Sequence, residues 1–242
     1  APEMLAPDNG IFVLLPTFRL PTMTHSRSSN SKHLMEISHA TPVWIHPDDA
    51  SQHRIEDGQL VKIETEIGHF INRARVTDGM SPGVLACSHH MGRWKLENSP
   101  GSSWGSSTVR FEDLPDGRVR MRQIEVEKPV GNVDPDVDRS WWQEKGVHQN
   151  MAFPVQTDPV SGMHCWHQKV RLVAADSTDQ YGDVVVDQTK SREVHQRWLS
   201  LARPASPELH GGLRRPRELP RPLARNPRAY LFENDRNDGS QR

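Results

Sequence analysis

Apolar and polar positions alternate with a period of two over several short runs of this chain, as half-buried strands require, because successive side chains of a strand point to opposite faces. Ile11 to Leu15 and Pro42 to His46 are apolar, β-branched or aromatic runs and read as strands. Gln59 to Thr65 and His69 to Val76 alternate on either side of the turn Glu66-Ile-Gly68, which predicts a hairpin. Val84 to Cys87 reads as a buried strand, Ala152 to Gln156 as strand-like, and His167 to Ala174 as a closing strand. Helical signals are brief. Asn30 to His39 has room for one or two turns, and Pro47 to Ser51 reads as a helix start with Asp48 and Asp49 in its first turn. Closely spaced short strands with only small helices between them predict a barrel.

Two stretches break this rhythm. Glu97 to Ser107 is rich in Gly and Ser, Thr108 to Val126 reads as a second hairpin around Leu114-Pro-Asp-Gly117, and Val130 to Asp138 is a Pro/Asp loop, so about 95–145 reads as an insertion. Beyond Asp176 the composition changes. Ser191 to Ala202 predicts an amphipathic helix presenting Val194, Trp198 and Leu201, and Arg203 to Arg228 is rich in Pro and Arg. The expected organisation is a mainly β barrel domain over 1–175 with short helices and an inserted hairpin, then a long irregular tail over 176–242. That tail either wraps over its own protein or docks on an acidic partner.

Composition adjusts this picture only slightly. An apolar fraction of 34%, with 19 prolines and 16 glycines in 242 residues, fits a compact part plus much loop. A net charge of −1 supplies no electrostatic footprint for nucleic acid. Cys87 and Cys165 lie far apart among apolar or aromatic neighbours and read as buried thiols before a disulfide. No run reaches the ~20 apolar residues of a membrane span. The chain opens on Ala1 without an initiator Met, so it is expected to be processed or to be a piece of something longer.

Candidate chemistry concentrates in one interval. Thr17, Arg19, Thr24, His25, Ser26, Arg27 and Asn30 fall in the loop between the first two strands. A loop this dense in hydrogen-bond donors suits a large polar ligand rich in phosphate and heteroaromatic nitrogen, and it also suits a capped helix entry. Ser88-His89-His90-x-Gly92 follows a strand; a histidine pair without further ligands at zinc-like spacing is a weak metal signal. Asn150 stands eight residues before Asp158, and it either binds a mixed donor and acceptor edge or forms a turn. A small hydrolase built on His89 and His90 is disfavoured, since no Ser or Cys nucleophile sits in a recognisable turn.

Taken in order, Arg19-x-Pro21-x-x-Thr24-His25-x-Arg27-x-x-Asn30, then Trp44-Ile-His-Pro-x-Asp-Ala50 with Ile55-x-Asp-Gly58, then Ser88-His89-His90-x-Gly92 and Asn150 to Asp158, resemble the C-terminal dinucleotide-binding domain of molybdopterin oxidoreductases of the dimethyl sulfoxide reductase family. The first loop looks most like the branch of polysulfide and thiosulfate reductases and sulfite dehydrogenases. That resemblance implies a double-psi β-barrel closing over a bis-molybdopterin guanine dinucleotide that carries molybdenum or tungsten. It implies cofactor contacts from Thr17, Arg19, Thr24, His25, Ser26, Arg27, Asn30, Ser88, His89, Asn150, His167 and Gln168, with no catalytic residue and no protein ligand to a metal in this chain. It further implies an oxidoreductase acting on an inorganic sulfur compound. The expected partners are the rest of the catalytic polypeptide, an iron-sulfur subunit for electron transfer, and a membrane anchor subunit. The iron-sulfur cluster is expected outside this chain, since two cysteines cannot supply four thiolates. A cytoplasmic complex bound to a membrane through its partners is favoured over a periplasmic one. Two departures stand out: Met23 occupies a position where relatives often place a His, and a thioether cannot donate; His167 and Gln168 follow Trp166 where relatives usually show a Lys. A barrel that binds no cofactor and serves assembly or interaction is the alternative.

Overall fold

The computed structural model describes residues 10–17, 34, 37, 40–89, 94–97, 107–126, 144, 146–156, 165–203 and 215–216. Arg19 and Met23 to Asn30 of the donor-rich loop, most of the helix expected at Asn30 to His39, His90, the loop Val130 to Asp138, the turn Asp158 to Gly162 and nearly all of the Arg/Pro-rich tail lie outside the described residues.

Five strands form where alternation predicts them: β1 Ile11–Leu15, β2 Val43–Ile45, β3 Leu60–Glu64, β4 Gly68–Val76 and β5 Val84–Ala86. β6 Trp94–Leu96 follows, then the long hairpin β7 Ser107–Asp113 and β8 Arg118–Val126, and later β9 Gln168–Ala174 and β10 Val184–Asp187. Neighbouring strands run β2-β5-β1-β9-β3-β4, and an additional β2–β4 pairing closes these six into a barrel. Closure removes the free edges that a six-stranded sheet would otherwise expose. Most pairs are antiparallel, but β1 lies parallel to β5 and β2 parallel to β4.

Inward positions fill the barrel. Phe12 and Leu14 of β1, Val43 and Ile45 of β2, Val61 and Ile63 of β3, Phe70 of β4, Leu85 of β5, and Val170 and Leu172 of β9 form one buried cluster. Each such side chain contributes roughly 1.5–3 kcal/mol by leaving water. Helix α1, Pro47–His53, is short because Arg54 ends it in a left-handed conformation, its N–H bonding back to the last turn. Its Asp49 accepts the Gly83 N–H at 2.8 Å and so ties the helix to the start of β5.

Three expectations are corrected. Ala152 to Gln156 is not a strand: Gln149–Ala152 is a 3-10 turn, followed by extended backbone without a sheet partner among the described residues. Pro154 has no N–H to offer a ladder, and the Ala152 carbonyl is taken by the Thr65 hydroxyl. Beyond residue 175 the sheet continues. β10 sits between β4 and β8, joining the barrel to the hairpin expected as an insertion. Helix α2, Gln188–Leu201, starts three residues earlier than periodicity suggests, because the Asp187 carboxylate accepts the Lys190 N–H at 2.9 Å and caps it.

Contacts divide the chain into two compact units. Ala1–Pro154 with Trp166–Arg192 contains the ten-stranded sheet; Val155–Cys165 with Glu193–Arg242 contains the paired strands β11 Ala202–Arg203 and β12 Arg215–Pro216. In the helix, Val194 is buried and Trp198 half-buried, as expected, and Trp198 stacks on His195.

Candidate cofactor-binding end of the barrel

Strand direction decides which loops meet. β1 and β5 are parallel, with Leu15 opposite Ala86, so Pro16–Thr17 and Cys87–His89 leave the sheet at the same end. β9 runs antiparallel to β1 with Gln168 opposite Leu14, so Trp166 and His167 enter from that end too. β2 is antiparallel to β5, with Trp44 opposite Ala86, which brings Thr41 beside Cys87. Thr17, Ser88, His89, His167 and Gln168, five of the expected contact residues, therefore gather at one end of the barrel.

The 3-10 turn carrying Asn150 is brought to the same place. Buried Gln149 donates from Nε2 to the Cys87 carbonyl at 3.0 Å. On its other side the Thr65 hydroxyl donates to the Ala152 carbonyl, and Phe153 packs edge-on to Phe70 with ring centroids 6.4 Å apart. Val147, Ala152 and Phe153 are all core residues. Asn150 is thus held on a turn pinned at both ends.

Within this end lies a polar cluster. Asn72, buried in the middle of β4, donates from Nδ2 to the Thr41 carbonyl at 2.8 Å and to Cys87 Sγ at 3.3 Å. Its Oδ1 accepts the Arg73 N–H at 2.8 Å. The Cys87 thiol donates to the Thr41 carbonyl at 3.5 Å. Burial pushes that thiol up to about 12, opposed in part by the Asn72 bond, so it stays protonated at neutral pH. Burial likewise pushes the Tyr181 phenol well above its usual range.

Among the described residues, the buried oxygens Thr41 Oγ1, Gln149 Oε1 and Asn150 Oδ1 have no hydrogen-bond partner, nor does Tyr181 Oη. Thr41 and Gln149 are each only 1% exposed. Leaving such a group unsatisfied costs about 1–3 kcal/mol, so the set calls for an outside donor. Gln149 cannot simply flip its amide, because its nitrogen is committed to the Cys87 carbonyl. A ligand edge with several N–H donors, as pterin and guanine rings both have, matches an arrangement with two amide oxygens and one hydroxyl. The donor-accepting character of these oxygens is of the kind that fits a molybdopterin-type cofactor.

The individual expectations fare differently. Thr17 is exposed in the turn after β1, Ser88 is buried directly after Cys87, and Gln168 is buried at the start of β9. His167 is exposed. His89 is half-buried, and its Nδ1 lies 2.6 Å from the Pro16 carbonyl oxygen. Arg19, Thr24, His25, Ser26, Arg27 and Asn30 lie outside the described residues. Sequence reasoning missed Thr41, Asn72 and Gln149. The signal for Asn72 was available as a polar residue at an inward position of an alternating strand. Gln149 carried none beyond its place beside Asn150. Among the described residues no group of three His, Cys, Asp or Glu side chains is placed to hold a metal ion.

Comparison with known proteins bears on this arrangement. Residues 13–169 match the family model described as Molydopterin dinucleotide binding domain. A 61-residue stretch is 36% identical to a putative dimethyl sulfoxide reductase catalytic polypeptide of Halobacterium salinarum, covering 25% of this chain and 7% of that protein. A 79-residue stretch is 33% identical to the trimethylamine-N-oxide reductase of Haemophilus influenzae, covering 33% and 9%. Over 121 residues the chain is 31% identical to the alpha chain of the F420-dependent formate dehydrogenase of Methanocaldococcus jannaschii, covering 49% and 17%. The matched stretches thus span between 7% and 17% of these relatives' lengths. Among solved structures, acetylene hydratase from Pelobacter acetylenicus aligns with a TM-score of 0.41 at 11% identity, covering 68% of this chain and 18% of that one.

Proposed function

The chain belongs to the molydopterin dinucleotide binding domain family, and from that premise we propose that it is the cofactor-covering barrel of a larger molybdenum or tungsten oxidoreductase. The observation that carries this reading is the set of unsatisfied buried oxygens on Thr41, Gln149 and Asn150, at the barrel end where Thr17, Ser88 and Gln168 also gather. Asn150, Ser88, Thr17 and Gln168 hold the pterin and guanine portions, joined by Arg19, Thr24, His25, Ser26, Arg27, Asn30 and His167. Arginines in that loop suit the phosphates of a dinucleotide, because a guanidinium offers paired donors to phosphate oxygens. When bound, the cofactor supplies the oxygen-atom or electron chemistry. This chain's residues bind it, orient it and exclude water.

The substrate is an inorganic sulfur compound such as sulfite, thiosulfate or polysulfide. Support for that assignment is the spacing of the loop from Arg19 to Asn30. The similar proteins are named for a sulfoxide, an amine N-oxide and formate, so these three are the competing substrates. The rest of the catalytic polypeptide, an iron-sulfur subunit for electron transfer and a membrane anchor complete the complex, on the cytoplasmic side.

The test is the native mass of the complex containing this chain, with metal and guanine analysis. Molybdenum or tungsten and guanine-bearing pterin co-purifying with a larger species are expected; a stable, metal-free species of about the chain's own 27.5 kDa would replace the proposal by the assembly-barrel alternative. In the loaded complex, Asn150→Ala is expected to lower cofactor content or turnover while circular dichroism stays native. Full metal loading with unchanged turnover would remove Asn150 from the site.

A further inference from the structure

The expected role of His89 is a contact to the cofactor, but the structure gives its ring a different engagement. A carbonyl oxygen only accepts, so the 2.6 Å approach of Nδ1 to the Pro16 oxygen means that Nδ1 carries the proton and donates. The His89 backbone N–H donates to the same oxygen at 3.1 Å. One face of the imidazole lies on Trp166, with ring centroids 5.4 Å apart and planes 16° from parallel. One side chain therefore touches three of the segments that deliver expected contact residues: Pro16–Thr17 after β1, its own Ser88–His89 turn after β5, and Trp166–Gln168 entering β9.

Backbone pairing alone does not fix these segments. The β1–β5 ladder ends at Leu15 and Ala86, and the β1–β9 ladder ends at Leu14 and Gln168. Past those points each chain leaves the sheet, and among the described residues the registration of β1 and β5 is continued by the Cys87 N–H to the Leu15 carbonyl at 3.2 Å and by the two His89 bonds to Pro16. The β1–β9 ladder reaches Gln168, and beyond it the stack on His89 adds a direct contact between Trp166 and the Ser88–His89 turn.

We infer that His89 is a positioning residue, a staple through Pro16 and Trp166 that sets the spacing of Thr17, Ser88 and His167 just beyond the ladders at the cofactor end of the barrel. This rests on the cofactor reading for its purpose but not for its geometry. Two variants separate its two contacts. In His89→Asn the amide nitrogen takes the place of Nδ1, so the Pro16 bond is kept and the stack is lost. In His89→Phe the stack is kept and the side-chain bond is lost.

The test is amide hydrogen exchange of the full chain in its native complex, read on peptides covering 11–17, 84–89 and 165–170, with guanine content per polypeptide measured on the same samples. His89→Phe is expected to accelerate exchange at 11–17 by about tenfold while sparing 165–170, and His89→Asn to do the reverse, as removal of one local contact predicts. Peptides from β3 and β4 serve as the internal control and keep wild-type rates. The variant that loosens 11–17 also retains less guanine cofactor. Unchanged exchange at both segments in both variants would overturn the staple. Accelerated exchange with full cofactor retention would overturn the positioning role and leave only a structural contact. If the wild-type complex carries no guanine cofactor, the cofactor reading fails by itself, and the exchange pattern still decides whether the staple exists.

Discussion

Single side chains at this barrel end make predictions that stability measurements reach directly. Thr41 uses its carbonyl to hold Asn72 and Cys87, while its hydroxyl is buried without a partner among the described residues. Thr41→Val keeps the shape and removes the unsatisfied group, so the ligand-free chain is expected to be unchanged or stabilised by up to about 1 kcal/mol in urea unfolding. A clear loss of stability would show instead that the hydroxyl is already satisfied, for instance by a buried water. His69 makes a pH prediction. Burial, aided by Lys62 and Arg118 and opposed by Asp179 and Asp183, lowers its folded value from 6.5 to about 4. Because the unfolded chain takes up this proton first, stability from His69 is fully present above pH 6.5 and falls as pH drops from 6.5 towards 4. His69→Gln should flatten unfolding free energy across that window; an unaltered slope would assign the dependence elsewhere.

At the level of elements, the strand that couples the barrel to the hairpin sheet is β4. Its first residues pair with β10, its middle with β3 and its end with β2. Gly68 opens the strand where the chain passes very close to β10: a Cβ there would meet the Val185 carbonyl oxygen at 2.1 Å, far inside contact distance. Gly68→Ala is expected to cost about 3 kcal/mol, since the obstacle is backbone and cannot rotate away. Denaturant titration reads it, and a loss below about 1 kcal/mol would mean the β4–β10 pairing is dispensable. The β7–β8 hairpin was legible from Leu114-Pro-Asp-Gly117 because Gly117, at φ 79°, takes a conformation that turns demand and other residues resist. β10 was not legible. Val-Val-Val-Asp is too short to show a period, and it sits in a stretch whose composition suggested a tail.

Over the whole sheet-containing unit, sharing of β4 between the barrel and its extension has a cooperative consequence. Barrel and extension should unfold in one transition, with amides of β3 and of β8 reporting the same opening free energy in native-state exchange. Separate transitions for the two would mean that the pairing through β10 is not stabilising. The extension is also braced by side chains, through Arg122 of β8, which donates from Nε to the buried Asp183 at 2.9 Å and from Nη2 to the Thr178 carbonyl at 2.7 Å. A buried carboxylate paired this way is costly to uncouple, which favours a single folding unit.

Strands with clear alternation, the two hairpins, the barrel class and the family were all readable along the chain, because each rests on local period, turn chemistry or motif order. Ser88, Gln168 and Asn150 were expected from motif order as cofactor contacts; strand register places Ser88 and Gln168 at one barrel end, and the Gln149 bond to the Cys87 carbonyl brings the turn of Asn150 there. Folding in three dimensions had to add that Gln149 and Thr41 join them, that Asn72 organises the cluster from the middle of a strand, and that His89 commits Nδ1 to Pro16. Those facts depend on which chain ends lie side by side after the barrel closes, and parallel pairings such as β1 with β5 join residues about seventy positions apart. No local pattern carries that information, since a hydrogen bond between distant segments leaves no period in either of them.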